Sequence, residues 1–162
     1  MKWEISKTFR FEAGHRVWKQ NLTYGRGAQF TKEKPINKCV NLHGHSYVLE
    51  VTVGSDTLSE QDMVMDFYHI KNALKELIDE IDHSFIIDVN DPMYPELKEV
   101  AEKYGAMKIF PVEFCPTAEA LAKFFYDFLK KRLEEAGLLG EVKVVKVTLW
   151  ETATSKAEYK EK

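Results

Sequence analysis

The chain has 162 residues, of which 44% are hydrophobic and 30% charged, and residues 1–162 are long enough for a single domain with its own core. Its formal net charge of −3 argues against a dedicated nucleic-acid binder, because such proteins carry an excess of basic residues. No apolar run approaches the roughly 18 residues of a membrane span. Two cysteines, Cys39 and Cys115, do not make a disulfide framework. We therefore expect a cytoplasmic protein with free thiols and no membrane partner.

The first predicted elements are two β-strands. From Trp3 to His15 the odd positions, apart from Lys7, carry apolar side chains and one histidine, which is the period of a strand with one buried face. Residues 43–53 repeat the pattern, with His43 and His45 on the same face as the apolar side chains. We expect these strands to pair as an antiparallel hairpin, joined by an unusually long connection over residues 16–41.

The connection is basic although the whole chain is acidic. Six Lys and Arg residues between Arg16 and Lys38 oppose one acid, Glu33. This asymmetry suits a polyanionic small substrate, and a solvated loop has the same composition. Both interpretations stay open at the level of the sequence.

Two amphipathic helices follow the strands. Apolar residues recur at helical spacing from Asp66, a suitable N-cap, as far as Ile81. A second apolar stripe begins after Thr117, also a capping residue, and Gly137 ends it. A shorter, weaker helix is predicted over residues 95–104.

The last part of the chain returns to strand patterns. Residues 142–151 are rich in β-branched side chains and predict a third strand, and residues 157–159 predict a fourth. The order ββααββ predicts an α+β domain in which helices pack on one face of an antiparallel sheet.

The sharpest chemical signal is the sequence His43-Gly44-His45. Residues i and i+2 of a strand project from one face, roughly 6.6 Å apart, so both imidazoles can reach one metal ion. Pairing of the first two strands would bring His15 to the same end of the sheet. Three histidines with an open fourth position are typical of catalytic zinc. The alternative is that they are ordinary part-buried residues of an apolar strand face.

Three further features are candidates for chemistry. Cys39 precedes His43 by four residues, and its thiolate can act as a base or nucleophile, or the side chain is a small buried hydrophobe. The Asp82-His83 dipeptide ends the first helix, where the carboxylate can hold one tautomer of the imidazole. Glu151 lies on an otherwise apolar strand face. A carboxylate there needs either a basic partner or a ligand with two adjacent N–H donors.

Six motifs carry these residues in a fixed order along the chain. They are FEAGH at 11–15, CVNLHGHSY at 39–47, MVMDF at 63–67, IDHSF at 81–85, PTAEALA at 116–122 and WET at 150–152. Together they resemble the 6-pyruvoyltetrahydropterin synthase/6-carboxytetrahydropterin synthase family over nearly the whole chain. The resemblance implies a tunnelling fold (T-fold), in which a four-stranded antiparallel sheet carries two helices on one face. It also implies a homo-oligomer, a hexamer, whose subunits join their sheets edge to edge.

The resemblance implies a role for each candidate residue. The implied zinc ligands are His15, His43 and His45. The implied catalytic residues are Cys39 and, from a neighbouring subunit, Asp82 and His83. The implied pterin-binding residues are Glu151, Thr117 and Glu119. On residue grounds alone, the acid in the first turn of the second helix is a favourable helix-dipole residue.

The implied substrate is 7,8-dihydroneopterin triphosphate. Loss of triphosphate with the side chain retained gives 6-pyruvoyltetrahydropterin, whereas carbon–carbon cleavage with loss of acetaldehyde gives 6-carboxytetrahydropterin, which is used in queuosine synthesis. The three-residue spacer between Cys39 and His43 favours the second product. Residues 88–114 depart from the family pattern as an insertion with a short helix of its own. Two alternatives stay open: a non-catalytic zinc- or pterin-binding protein, and a zinc hydrolase acting on another triphosphate.

Overall fold

The computed structural model describes residues 1–22, 25–30, 37–105 and 107–161. The described chain forms one sheet and three α-helices. The strands are β1 (Trp3–His15), β2 (His43–Ser55), β3 (Ser84–Asp88), β4 (Ile109–Val112), β5 (Lys143–Thr152) and β6 (Ser155–Tyr159). The helices are α1 (Phe67–Ile81), α2 (Tyr94–Tyr104) and α3 (Ala118–Glu135). Short 3-10 turns lie between β1 and β2 at Trp18–Asn21, Ala28–Phe30 and Lys38–Val40.

The expected hairpin of β1 and β2 is confirmed. The two strands pair antiparallel from Trp3 opposite Ser55 to His15 opposite His43. Odd residues of β1 such as Phe11 point into the core, and the even ones between residues 4 and 12 are exposed. The alternation in the sequence therefore fixes which face of the sheet carries His15.

The sheet has two more strands than the sequence predicts. Its order is β4-β3-β1-β2-β5-β6, and β3 and β4 run parallel to their neighbours, so the sheet is mixed. In β3 the consecutive residues Ile86, Ile87 and Asp88 are all buried. A strand buried on both faces shows no period of two, which explains why this segment gave no strand signal. The segment 88–114 contains α2 and β4, so it extends the sheet as well as carrying its expected short helix.

The two predicted long helices and their caps are confirmed. The Asp66 carboxylate accepts the N–H of Tyr68 (2.8 Å) at the start of α1, and the Thr117 hydroxyl accepts the N–H of Ala120 (3.1 Å) at the start of α3. Both helices bury their apolar stripes against the face of the sheet that carries Phe11. In contrast, α2 contributes no buried side chain to the core.

The sheet has open strand edges on both sides. Its terminal strands are β4 and β6. Because β1 pairs with β3 only at Ala13 and Gly14, residues 3–11 of β1 also have no neighbouring strand on that side within the described chain. Unpaired edges of this kind invite pairing with another strand. Among the described residues, the helices are all too short or too polar to cross a bilayer.

Candidate active site

Three histidines meet at one end of the sheet, as the strand pattern predicts. The Nε2 atom of His15 lies 3.1 Å from Nε2 of His43 and 3.1 Å from Nε2 of His45. One ligand atom from each ring lies within 4.8 Å of the others. His15 is fully buried, and the other two are partly buried. We call these residues the histidine cluster.

The donor atoms of the histidine cluster fit a metal ion. Nδ1 of His15 faces the carbonyl of Pro116 (2.7 Å) and Nδ1 of His43 faces the carbonyl of Asn41 (2.6 Å). A carbonyl only accepts, so both Nδ1 atoms carry the hydrogen and both Nε2 atoms are left as acceptors. Two facing acceptors repel unless a cation lies between them. The 3.1 Å separation is close to the roughly 3.3 Å expected for two imidazole nitrogens on one tetrahedral zinc.

Burial favours the neutral, metal-binding form of two members of the cluster, His15 and His45. Burial lowers the pKa of His15 to about 4, and burial also lowers the pKa of His45. Tyr47 packs edge-on against both rings, with centroids 6.2 Å from His15 and 5.5 Å from His45. The described structure is therefore compatible with a metal held by three neutral imidazoles.

Glu151 lies beside the histidine cluster. Its Oε1 atom is 3.4 Å from Nε2 of His45, and its side chain is mostly buried. It projects from β5, two residues after Leu149, which pairs with the core residue Leu49 of β2. The carboxylate that the sequence singles out is thus presented next to the candidate metal position.

The other two residues of the implied pterin pocket lie at the start of α3. Thr117 caps this helix and is partly buried, directly after Pro116, whose carbonyl accepts from His15. Glu119 is exposed in the first turn. The start of α3 therefore lies at the histidine cluster, and Thr117 is more buried than Glu119.

Cys39 lies in the segment that returns the chain to β2. It is a free, half-buried thiol in the 3-10 turn Lys38–Val40. Its carbonyl accepts the N–H of Val17 (2.7 Å), which follows β1 by two residues. This bond joins both ends of the long connection beside His15 and His43.

Asp82 and His83 form a contact of their own at the end of α1. Asp82 Oδ1 lies 3.0 Å from Nδ1 of His83 and accepts the backbone N–H of Glu12 (2.8 Å). That hydrogen bond is the main reason why the pKa of Asp82 is lowered. His83 has φ +60°, an uncommon conformation for a residue with a side chain. Its N–H donates to the Glu12 carbonyl (2.6 Å), which holds the backbone in place.

Among the described residues, the Asp82-His83 pair makes no hydrogen bond or ion pair to the histidine cluster. The His83 side chain is 77% exposed and lines a cavity with Glu12, Gly14, Gly44, Ser46 and also His45 of the cluster. The even-numbered strand residues of this lining project from the face opposite the odd-numbered histidines. The cavity that His83 lines therefore lies largely on that opposite face and reaches the histidine cluster only at His45.

The sequence places Arg16 in a basic loop that is either solvated or directed at a substrate, whereas the structure shows Arg16 buried. Its side chain is buried and forms a two-pronged ion pair with Asp91 (2.6 and 2.7 Å), which raises the pKa of Arg16. Two other basic residues of this loop, Lys32 and Lys34, lie outside the described residues.

Sequence reasoning missed two groups of contacts. The carbonyls of Pro116 and Asn41 orient His15 and His43, and backbone acceptors have no residue-type signature. The partner of Arg16 lies 75 residues away in the chain, and no local pattern marks such a pairing.

Comparison with known proteins adds independent findings. A sequence model of the family described as 6-pyruvoyl tetrahydropterin synthase matches residues 4–162. A protein of Aquifex aeolicus (strain VF5) named 6-carboxy-5,6,7,8-tetrahydropterin synthase is 96% identical over 161 residues, which cover 99% of each chain. An uncharacterized protein of Wolinella succinogenes has a solved structure with a TM-score of 0.81 at 31% identity, covering 99% of this chain and 98% of that one. The 6-pyruvoyl tetrahydropterin synthase of Caenorhabditis elegans gives a TM-score of 0.64 at 21% identity, covering 99% and 96%.

These matches confirm the expected fold and family. The Caenorhabditis structure shares the α+β tunnelling fold over nearly the full length of both chains, although the sheet of this chain has six strands. The family model covers all six motifs that carry the resemblance. The chain belongs to the 6-pyruvoyl tetrahydropterin synthase family.

Proposed function

We propose that this chain converts 7,8-dihydroneopterin triphosphate and water to 6-carboxy-5,6,7,8-tetrahydropterin, acetaldehyde and triphosphate, as a zinc enzyme of queuosine synthesis. The observation that carries the proposal is the position of Glu151, 3.4 Å from His45 of the histidine cluster. A pterin whose N–H edge binds this carboxylate presents its side chain to the metal position. The name of the Aquifex relative and the short spacer between Cys39 and His43 support the carboxy product over the pyruvoyl product.

The chemistry divides between a metal and side chains of this chain. Zinc bound by the histidine cluster would supply a Lewis acid that acidifies the hydroxyls of the substrate side chain. Cys39 takes a proton from the substrate side chain, and His83, oriented by Asp82, returns one. The dihydropterin ring gains the electrons that the side chain loses, so the reaction balances without a further redox reagent. Both cysteines are free thiols, and we place the enzyme in the reducing cytoplasm.

The start of α3 completes the pterin pocket. Thr117 follows the Pro116 carbonyl that orients His15, so a ligand held by Glu151 at the cluster also meets this helix start. Glu119, in the same first turn, adds an acceptor on the exposed side. We assign both residues to pterin binding, with the threonine on the buried side of the ring.

The direct test is to incubate the zinc-loaded protein with 7,8-dihydroneopterin triphosphate and to identify the products by mass spectrometry. Acetaldehyde together with 6-carboxytetrahydropterin is the expected result. Formation of 6-pyruvoyltetrahydropterin would assign the other branch of the family. If a folded, zinc-loaded protein binds the pterin without consuming it, the protein is a binder, and hydrolysis of other triphosphates would indicate a zinc hydrolase.

The substitution Glu151→Gln tests the pterin anchor. It keeps the shape of the side chain but removes the charge that accepts two N–H donors, an interaction worth about 1.5–3 kcal/mol. We expect kcat/KM to fall by about 10- to 100-fold, mainly through a higher KM, with zinc content unchanged. Steady-state kinetics and metal analysis measure both quantities.

Its control is Glu135→Gln at the exposed end of α3. This variant is expected to have the kinetic constants of the parent, because the side chain lies far along the helix from the histidine cluster. Parental pterin affinity in Glu151→Gln would contradict the anchor role.

We also propose that the active site forms between two copies of the chain in a homo-oligomer, a hexamer. Two observations support this. Within the described chain, the Asp82-His83 pair bonds to Glu12 and makes no hydrogen bond or ion pair to the histidine cluster, so one copy does not join the two groups directly. The open edges of β1 and β6 provide the two unlike surfaces that a head-to-tail ring needs. Neighbouring sheets would then bring His83 of one copy to Cys39 of the next.

Co-expression of two inactive variants tests this arrangement. In a mixture of Cys39→Ala and His83→Ala chains, some interfaces combine the intact Cys39 of a His83→Ala chain with the intact His83 of a Cys39→Ala chain. Random assembly is expected to restore about a quarter of the parental kcat per site. Differently tagged chains allow the mixed oligomer to be purified before it is assayed.

The matched control combines Cys39→Ala with His45→Ala. In the proposed arrangement, Cys39 and His45 of each site come from the same chain. Every site in this mixture therefore lacks one of the two residues, and the mixture is expected to stay inactive. A mixed oligomer of Cys39→Ala and His83→Ala without activity would show that the residues act within a single chain.

A further inference from the structure

The segment that carries Cys39 is held by residues that directly follow His15. Nη1 of Arg16 donates to the carbonyl of Val40 (3.1 Å), and the N–H of Val17 donates to the carbonyl of Cys39 (2.7 Å). Two consecutive carbonyls of the short turn are therefore fixed from the end of β1. These two hydrogen bonds therefore hold the turn that carries Cys39 against the end of β1 that carries His15.

Arg16 is itself held rigidly. Its Nε atom donates to Oδ2 of Asp91 (2.6 Å) and its Nη2 atom to Oδ1 (2.7 Å). The exposed fractions of the two side chains are only 10% and 1%. A two-pronged bond between a guanidinium and a carboxylate fixes the plane of the guanidinium. The remaining nitrogen, Nη1, is then directed at Val40.

The carboxylate of Asp91 is anchored to the sheet. The N–H of Asp91 donates to the carbonyl of Asp88 (3.0 Å), the last residue of β3, and Oδ1 accepts the N–H of Met93 (2.9 Å). Oδ2 of Asp88 accepts Nε1 of Trp18 (2.8 Å). We call residues 88–91 the acidic turn. It contacts the long connection at two points, Arg16 and Trp18, and rests on the added parallel strand.

We propose that the acidic turn, acting through Arg16, positions the Cys39 thiol relative to the histidine cluster. Arg16 and Asp91 are positioning residues in this assignment, because they fix the backbone of the cysteine segment and not the substrate. The inference rests on the proposed proton-transfer role of Cys39. Displacement of a reacting group by about 1 Å can cost about 100-fold in rate, so a contact that fixes this turn has a measurable effect.

Two substitutions test the inference. Arg16→Lys keeps a positive charge for Asp91 but lacks the planar fork that reaches the carboxylate and Val40 together. Asp91→Asn keeps the volume of the side chain and places an N–H donor against the guanidinium. In both variants we expect kcat to fall by about 100-fold, with KM and zinc content unchanged.

A second measurement reports on the cysteine without turnover. The rate at which iodoacetamide alkylates Cys39, followed on its peptide by mass spectrometry, is expected to rise several-fold in both variants, because the half-buried thiol is released. Glu96→Gln, at an exposed position in the first turn of α2, is the matched control within the same segment and should leave both readouts unchanged. Circular dichroism verifies that the variants are folded.

Two results would overturn the inference. One is that the Arg16→Lys variant and the Asp91→Asn variant both fold and both have the parental kcat and the parental alkylation rate. The other is loss of fold in both variants, which would make the ion pair an element of stability only. The alkylation measurement also separates failure of this inference from failure of the proposed function, because it needs no turnover. If the parent protein showed no turnover but both variants were alkylated faster than the parent, the positioning of Cys39 would be supported and only its assigned reaction would be rejected.

Discussion

Replacement of Cys39 by alanine is expected to lower kcat by about 10²- to 10⁴-fold, which is the usual contribution of a positioned acid or base. The fold and the zinc content should be unchanged, because Cys39 lies in a short turn outside the core and the proposed metal ligands are the three histidines. Product formation from 7,8-dihydroneopterin triphosphate, measured by mass spectrometry on zinc-loaded protein, gives the rate. Metal analysis of the same sample gives the zinc content.

The control for this experiment is Cys115→Ala. Cys115 is buried, and burial raises the pKa of its thiol, so it stays protonated and unreactive near neutral pH. This variant should retain the kcat of the parent. If Cys39→Ala turned over at the parental rate with zinc bound, the thiol would have no part in proton transfer.

Replacement of His45 by alanine is expected to weaken zinc binding by at least about 100-fold, since loss of even an outer-shell partner costs about 10- to 100-fold. It removes one of the three Nε2 donors that converge within 4.8 Å. The effect should also appear as stability. Zinc at 100 times its Kd adds about 2.7 kcal/mol to the free energy of unfolding of the parent, and the same concentration should add little to the variant. Metal analysis and thermal unfolding with and without zinc measure the two effects.

His69→Ala is the matched control for the metal site. His69 is exposed on α1 and lies outside the histidine cluster, so its loss should change neither zinc content nor the zinc-dependent shift in Tm. Equal zinc binding by the parent and His45→Ala would remove His45 from the ligand set, and with it the arrangement that places a metal beside Glu151.

Much of the fold follows from local patterns in the sequence. Alternation from Trp3 to His15 and again after His43 predicts two strands with a shared buried face, and the structure confirms their pairing. The capping residues Asp66 and Thr117 mark the starts of α1 and α3 correctly. These signals are readable because strand periods and N-cap hydrogen bonds depend on residues close together in the chain.

The convergence of the three histidines also follows from the sequence. His43 and His45 share a face by spacing alone, and the hairpin register brings His15 directly opposite His43. The register follows from matching the buried faces of two strands, because a slip of one residue would turn every apolar side chain towards solvent. The ordered motifs then identified the family, which the comparisons confirm.

Other features were decided only by tertiary structure. The parallel strands β3 and β4 lack a two-residue period because β3 is buried on both faces. The bond between Arg16 and Asp91 joins residues 75 positions apart, and the placement of His83 beside Glu12 depends on how α1 returns to β1. The sequence by itself determined the three helices, four of the six strands, the metal-site candidates and the family, since these follow from short-range periodicity and ordered motifs. Tertiary structure alone decided the two parallel strands, which distant charges pair and where Asp82 and His83 lie, because these depend on the path of the chain between elements.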